Sequence, residues 1–182
     1  MLDTFAARTA RYGVKTLNER NNAPGDYCRL YRERYLRKPE GNLAAGAKVI
    51  WEAPPSPGYL EGAAEALTDE LYGGTTFGDS WIGWEGRDGS FIVDLGEVQP
   101  VQSVETDFLH QLGAWILLPK SVTYTVSEDG AAYEAFGKEI LPEDRSREVK
   151  FVGVKSEQPA PVSARYIRVE IEGVKVCPSW HY

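Results

Sequence analysis

Apolar and polar positions alternate along much of the chain, most clearly within Ser90–Gly130. In Ser121–Ser127, Val or Tyr occupies every second position and Ser or Thr the others. A period of two is typical of a strand with one buried and one solvated face. Glu128-Asp129-Gly130 follows, and Asp and Gly tolerate the positive φ of a hairpin turn. The pattern predicts strands through this region and a hairpin at its end.

Further segments of strand character lie on both sides of that region. They are residues 47–53 (AKVIWEA), Glu148–Val154 and Arg165–Glu172, and the last has alternate apolar residues that we expect to face inward. Trp115 opens another apolar run, AWILLP, and is predicted to lie in the core. Short strands separated by turn signals, with no helices between them, predict an all-β fold: an antiparallel jelly-roll β-sandwich.

Residues 1–40 have a different pattern, which predicts a short helical hairpin. In its second helix, Gly25–Arg37, Tyr27, Tyr31 and Tyr35 recur at helical spacing and form an aromatic stripe that needs a surface to cover. This segment has too little core to stand alone. We therefore predict three parts: a helical segment over 1–40 that ends a preceding domain, a strand and Pro/Gly-rich linker over 41–62, and the sandwich over 63–182.

Charge is distributed unevenly in this chain of net charge −7. Residues 1–40 hold nine Lys/Arg against five Asp/Glu, whereas the remainder holds eleven against twenty-two. An acidic main domain repels phosphate backbones, which argues against nucleic acid as a partner. No apolar run approaches the roughly 20 residues that span a bilayer, and the N-terminus lacks the apolar region of a signal peptide. We expect no membrane insertion.

Motifs for catalysis are missing from the sequence: there is no GxSxG, HExxH, Walker loop or Rossmann fingerprint. Two cysteines, Cys28 and Cys177, without CxxC spacing, together with only two histidines, argue against a zinc site. The cysteines are either two thiols or one disulfide that joins the ends of the chain. The sequence favours a binding function over an enzymatic one.

Five pieces of the sequence stand in a distinctive order over about residues 42–182. They are LTDELYGGTTFGDSWIGWEGRDGSFIVDLG, VQSVETDFL, WILLPKSVTYTVSEDGAAYEAF, ARYIRVEIEG and PSWH. Together they resemble the discoidin, or factor V/VIII type C, module, which has a galactose-binding-domain-like fold. The wording is similar to modules at the C-terminal end of bacterial glycoside-hydrolase-like proteins of the chitobiase type. Residues 1–40 resemble the last helices of a glycosidase-like domain that precedes such a module.

Two departures from the family pattern carry structural expectations. The family's LTDG is LTDE here, so Glu70 occupies a turn position that needs a positive φ, and we expect the turn to be either strained or rearranged. Relatives also continue past PSWH into a last strand that ends in an acidic residue. We therefore expect that last strand to be missing and a neighbouring strand to be left unpaired.

The resemblance implies a ligand site in the loops at one end of the sandwich, where aromatic rings stack on sugars. Trp84 and Glu85 are predicted to form an exposed platform, and Trp81 to be buried. The other ligand-binding candidates are His110, Gln111, Trp180 and His181. A structural calcium ion is also implied, with Asp69 and Thr75 or Thr76 as its ligands.

The function implied is a non-catalytic carbohydrate-binding module that holds a glycoside hydrolase on glycans with galactose- or hexosamine-like sugars. The preceding catalytic domain would be its partner, and the larger protein would be extracellular or periplasmic. Two alternatives stay open. The domain is either a structural support for the catalytic domain that binds no ligand, or a protein- or phospholipid-binding module like those of the clotting factors.

Overall fold

The computed structural model describes residues 41–59, 64–70, 72–74, 77 and 81–181. The predicted helical hairpin of residues 1–40, with its tyrosine stripe, lies outside these residues, as does the proposed calcium ligand Thr75. Cys177 is exposed, and its proposed disulfide partner Cys28 also lies outside the described part. Within the described ranges, no helix is long and apolar enough to cross a membrane.

Five antiparallel strands form the described part of the fold, in the sheet order β1-β2-β5-β3-β4. The strands are β1 (Lys48–Ala53), β2 (Gly89–His110), β3 (Ser121–Ser127), β4 (Glu134–Ile140) and β5 (Lys150–Glu172). Two short 3-10 helices cover Ala64–Leu67 and Leu112–Ala114. The prediction of an antiparallel all-β fold is confirmed.

Strands β2 and β5 are longer than the sequence pattern indicates. The segments predicted as Glu148–Val154 and Arg165–Glu172 are the two ends of β5. The pairing of β2 with β5 is interrupted between Asp94 and Gln99 and again between Val101 and Ser103, and it resumes each time in the same antiparallel sense. Asp94 accepts two hydrogen bonds from the Arg165 guanidinium at the first interruption, at 2.7 and 3.0 Å. The two strands therefore form one continuous ribbon that bends in the middle.

The bend places the two halves of the ribbon in two layers that face each other. Tyr124 on β3 shows this directly, because its hydroxyl lies 2.6 Å from Thr106 Oγ1 on β2 and 2.8 Å from the Val154 carbonyl on β5. Gln158 of β5 likewise donates to the Phe136 carbonyl of β4. Contacts across the core between strands that are not neighbours in this part of the sheet define a β-sandwich.

Alternating residues fill the core as the sequence predicts. Val122, Tyr124 and Val126 of β3 are buried, and so are the inward residues of the C-terminal half of β5, namely Ile167, Val169 and Ile171. The two serines at the ends of β3 are buried as well, and both have partners. Ser121 donates to Glu172 Oε2, and Ser127 donates to Asp129 Oδ1. Both buried serine hydroxyls therefore have a hydrogen bond, whereas Thr125 Oγ1 of the same strand is buried without one among the described residues.

The two special turns that the sequence predicts are both present. Gly130 has φ +77° in the β3–β4 hairpin, and Asp129 Oδ1 accepts from the backbone N–H groups of Ala131 and Ala132. These backbone bonds are the main cause that lowers the pKa of Asp129. Glu70 has φ +60°, so the expected left-handed conformation of a non-glycine residue is confirmed.

Trp81 is partly buried next to the N-terminal end of β5. Its ring lies parallel to that of Phe151 at a centroid distance of 6.2 Å, and its Nε1 donates to the Gly74 carbonyl at 2.8 Å. A Cβ on Gly73 would collide with the indole, so Gly at that position lets the ring lie directly on the backbone. This placement agrees with the interpretation of Trp81 as a packing residue.

Candidate functional site

The loops that follow the two halves of the ribbon meet at one end of the sandwich. The Lys120 N–H donates to the Glu172 carbonyl, and the Leu141 N–H donates to the Lys120 carbonyl. Further along, His110 at the end of β2 contacts the carbonyl of Asp144. These bonds bring residues 111–120, 141–149 and 173–181 together. The loops share rigid strand ends as their supports, which is the usual setting of a binding site.

Trp115 is the most exposed tryptophan at this end, with 61% of its surface accessible. The prediction that it lies in the core is wrong. The run AWILLP does not form a strand: the chain turns through the 3-10 helix Leu112–Ala114, and Trp115 ends that helix at φ +63°. Its N–H donates to the Leu112 carbonyl at 3.0 Å. The left-handed backbone directs the indole outward and is a strained conformation for a non-glycine residue.

Two rings from the end of the chain continue from Trp115. The imidazole of His181 lies 4.4 Å from the Trp115 ring and 5.9 Å from the Trp180 ring, centroid to centroid. His181 Nε2 donates to the Leu112 carbonyl at 3.0 Å, because a carbonyl oxygen can only accept. We call Trp115, His181 and Trp180 the aromatic row. The structure thus brings the predicted site residues Trp180 and His181 together with a tryptophan that the sequence assigned to the core.

An ion pair borders the far end of the aromatic row. Glu143 accepts from Trp180 Nε1 at 2.9 Å and from Arg145 Nε at 2.7 Å, one bond to each carboxylate oxygen. The Trp180 bond and then the Arg145 bond lower the pKa of Glu143. The Arg145 guanidinium also lies 5.0 Å from the Trp180 ring centroid, within the range of a cation–π contact. No pattern in the sequence points to these two residues, which stand in an ordinary polar stretch, LPEDRSRE.

His110 and Gln111 occupy different positions from those predicted. His110 is not in a loop: it is the last residue of β2 and is completely buried, so its ring has no surface to offer a ligand. Its Nε2 lies 3.2 Å from the Asp144 carbonyl, and the orientation ties the 141–149 loop to the strand. Within the described part of the chain, His110 Nδ1 and Gln111 Oε1 are buried without a hydrogen-bond partner. Gln111 itself is half-buried at the base of the Trp115 turn.

Trp84 and Glu85 lie apart from the aromatic row. The Trp84 indole is partly buried against the core, lies 6.1 Å from the Trp51 ring, and donates from Nε1 to the Ala53 carbonyl. A Cβ on Gly89 would collide with this indole. These contacts contradict the prediction of an exposed platform at Trp84. Glu85 is exposed, and its backbone N–H donates to Ser56 Oγ.

A pocket with a volume of about 260 Å³ lies on the outer face of the sheet. Hydroxyl side chains such as Ser90 and Thr123 line it, with Lys138 and Glu170 among its charged residues. The described residues that line it include no aromatic ring. It therefore offers no stacking surface comparable to the aromatic row.

Comparisons with known proteins identify the family. The model of the F5/8 type C domain matches residues 53–181, which is more than half of the chain. The chain belongs to the F5/8 type C domain family. This agrees with the resemblance that the sequence carries, and the matched range contains strands β2 to β5 and the last residue of β1.

Several solved structures are similar to this F5/8 type C domain. A CBM32 module produced by Clostridium perfringens, in complex with GlcNAc-α-1,4-galactose, has 17% identity and a TM-score of 0.47, and the match covers 77% of this chain and 84% of that one. Chitosan-binding module 1 of a chitosanase/glucanase from Paenibacillus sp. IK-5 has 18% identity, a TM-score of 0.45, and coverage of 72% and 86%. CBM32-1 from a family 31 glycoside hydrolase of Clostridium perfringens has 16% identity, a TM-score of 0.40, and coverage of 76% and 87%. No curated protein matches the chain significantly.

Calcium, which the F5/8 type C resemblance implies, needs six to eight oxygen ligands. Asp69 follows the first 3-10 helix and stands next to the left-handed Glu70. Among the residues that the structure describes, no group of three or more Asp, Glu, His or Cys side chains could hold a metal ion. Asp69 is thus the one described member of the predicted ligand set, and calcium binding stays a prediction from the resemblance.

Proposed function

We propose that this F5/8 type C domain is a non-catalytic carbohydrate-binding module and that the aromatic row is its sugar site. The observation that carries the proposal is Trp115. A strained left-handed backbone and contacts with His181 present a large apolar ring to solvent at the loop end of the sandwich. Burying such a ring would stabilise the fold, so its exposure favours a role in binding.

The chemistry of the row suits a sugar. Pyranose rings have apolar CH faces that stack on indoles, and their hydroxyl groups need donors and acceptors close by. Arg145 and Glu143 supply such groups beside Trp180. We further propose that the sugars are of galactose or hexosamine type and that the module serves a glycoside hydrolase outside the cytoplasm, as the resemblance implies. Affinity at a single site is expected to be weak, because a small ligand makes few contacts to offset its lost freedom.

A glycan array with the whole chain tests this function, with Trp115→Ala as the diagnostic variant. We expect binding to at least one glycan class, and its loss in Trp115→Ala with an unchanged unfolding midpoint, because the ring is mostly outside the core. Phe77→Ala is the matched control, since Phe77 is an exposed aromatic residue outside the row. Silence of the folded wild-type chain on every glycan would refute the proposal.

Phospholipid binding is the second candidate, and one observation favours it. Ile140, at the end of β4, and Val176, in the C-terminal loop, are 79% and 80% exposed. Apolar side chains at loop tips can enter a membrane surface. The net charge of −7 disfavours anionic lipid. Sedimentation with neutral and anionic vesicles separates this function from sugar binding. If the domain binds lipid, Ile140→Ser should weaken vesicle binding and Trp115→Ala should leave it unchanged. If it binds sugar, Trp115→Ala should abolish glycan binding and Ile140→Ser should leave it unchanged.

A further inference from the structure

Arg145 holds the free hydrogen-bonding capacity at the end of the aromatic row. Each carboxylate oxygen of Glu143 already accepts one hydrogen bond, one from Trp180 Nε1 and the other from Arg145 Nε. The side chain of Arg145 is 64% exposed, and the two Nη groups of its guanidinium take no part in the Glu143 bond. The planar end of the guanidinium therefore remains able to bind an oxygen-rich group from solvent.

The neighbouring acceptors are occupied or covered. Asp144 Oδ2 accepts from Lys150 Nζ at 2.6 Å and Asp144 Oδ1 accepts from the Ser146 N–H at 2.7 Å. The Lys150 bond is the largest of the causes that lower the pKa of Asp144. Gln111 Oε1 is buried. Among these groups, Arg145 is the one with unused N–H donors that face solvent, and a donor is matched by an acceptor on the ligand.

We propose, on the basis of the sugar-binding function above, that the ligand is an acidic glycan and that Arg145 is the residue that selects it. The sugar ring lies on the aromatic row while a carboxylate of the glycan accepts from the two Nη groups. A guanidinium fork matches a carboxylate in a bidentate geometry, and such charge-assisted bonds are stronger than those to neutral hydroxyls. Lysine could not reproduce that geometry, because its ammonium group is a point charge.

The spacing of the row supports an oligosaccharide. Successive groups from Trp115 through His181 and Trp180 to Arg145 are separated by 4.4, 5.9 and 5.0 Å. The row therefore offers several planar groups in succession. A glycan of two or three residues can stack at Trp115 and still reach Arg145 with an acidic residue.

The negative net charge of the chain does not oppose an acidic ligand at this position. At physiological ionic strength, exposed charges are largely screened beyond about 8 Å. The two nearest carboxylates each hold a cation, Glu143 with Arg145 and Asp144 with Lys150. The charges next to the site therefore determine the affinity for an acidic glycan. The acidic surface elsewhere mainly lowers its association rate.

Matched pairs of neutral and acidic glycans test the proposal on the whole chain. An array carries gluco-, galacto- and manno-configured oligosaccharides beside the uronic acids that differ from them only by oxidation at C6. Calorimetry then follows the strongest pair, for example α-1,4-galactobiose and α-1,4-digalacturonic acid. We expect the acid to bind roughly tenfold more tightly, the ratio that a charge-assisted bond supports, and the preference to shrink with added salt.

Two variants locate the effect. Arg145→Gln should remove the preference for the acid and leave binding of the neutral partner within about twofold, because the stacking surface stays. Arg147→Gln removes the same charge from the same loop and should keep the preference. Equal affinity for acid and neutral glycan, or equal loss in both variants, overturns the role of Arg145 while sugar binding stands. Silence on every glycan, with the fold confirmed, overturns both proposals.

Discussion

The Tyr124 hydroxyl offers a direct test of how the two layers of the sandwich are held together. Its ring is completely buried, and Tyr124→Phe removes one oxygen without changing the shape of the ring. The hydroxyl donates to the Val154 carbonyl at 2.8 Å, so the Thr106 hydroxyl must be the donor in the 2.6 Å bond to Tyr124. The variant breaks both bonds at once.

The magnitude follows from the partners that remain. Each buried group left without a partner costs about 1–3 kcal/mol. Val154 stands opposite Thr106 in the β2–β5 ladder, so both groups that lose a partner lie at the same point of the core. We expect Tyr124→Phe to lower the free energy of unfolding by about 2 kcal/mol. For a chain of this size, that corresponds to a fall of about 4–8 °C in the midpoint of thermal unfolding.

Urea unfolding followed by tryptophan fluorescence measures the loss, and the m-value should not change. Thr106→Val and the double variant complete a cycle in which the double variant costs about 1 kcal/mol less than the sum, because both single changes break the same bond. Tyr59→Phe, at a residue that is 43% exposed, is the control and should shift stability by less than about 0.5 kcal/mol. An equally small loss in Tyr124→Phe, or strict additivity in the cycle, would contradict the bridging role of the hydroxyl.

Two further predictions concern the same free energy. Glu70→Gly should be about 1 kcal/mol more stable than Glu70→Ala, because both variants lose the side chain and Gly alone relieves the left-handed strain. Equal urea midpoints for the two variants would show that the turn carries no strain. Burial of Tyr124 raises its pKa to about 12, so the folded protein keeps a proton that the unfolded chain releases near pH 10. This contribution is full below about pH 10 and is lost as pH rises toward 12, and a stability titration should show a steeper alkaline loss in the wild type than in Tyr124→Phe; parallel curves would refute the assignment.

Local patterns predicted the parts of this fold that depend on neighbours in sequence. The alternation in Ser121–Ser127 and the Asp129–Gly130 turn required only the pleat of a strand and the φ of glycine, and the structure confirms both. The positive φ at Glu70 came from a resemblance in one tetrapeptide. Local patterns could not predict that β2 continues through residues 94–99. The bend there depends on the pairing of β2 with β5, which is distant in sequence.

The errors at the site have the same cause. Trp115 stands in an apolar run that is typical of a core strand, and its exposure depends on a single left-handed turn and on His181 from the far end of the chain. His110 follows a strand and precedes a glycine, which suggested a loop, but the carbonyl of Asp144 covers it from 34 residues away. Contacts of such long range leave no local signal. Arg145, in an ordinary polar stretch, carries no sequence signal of a binding role.

The continuous ribbon of β2 and β5 has a consequence for how this protein can open. In a sandwich whose layers are joined only by loops, one layer can slip or detach while the other stays paired. Here the same two strands run through both layers, so neither layer can lose one of them without breaking the longest hydrogen-bonded ladder in the described chain. Fluctuations must therefore begin at the outer strands β1 and β4 and move inward. The amide protons of the paired stretches on either side of the bend should be the last to exchange with solvent, and the loops of the aromatic row are carried by the ends of these same two strands.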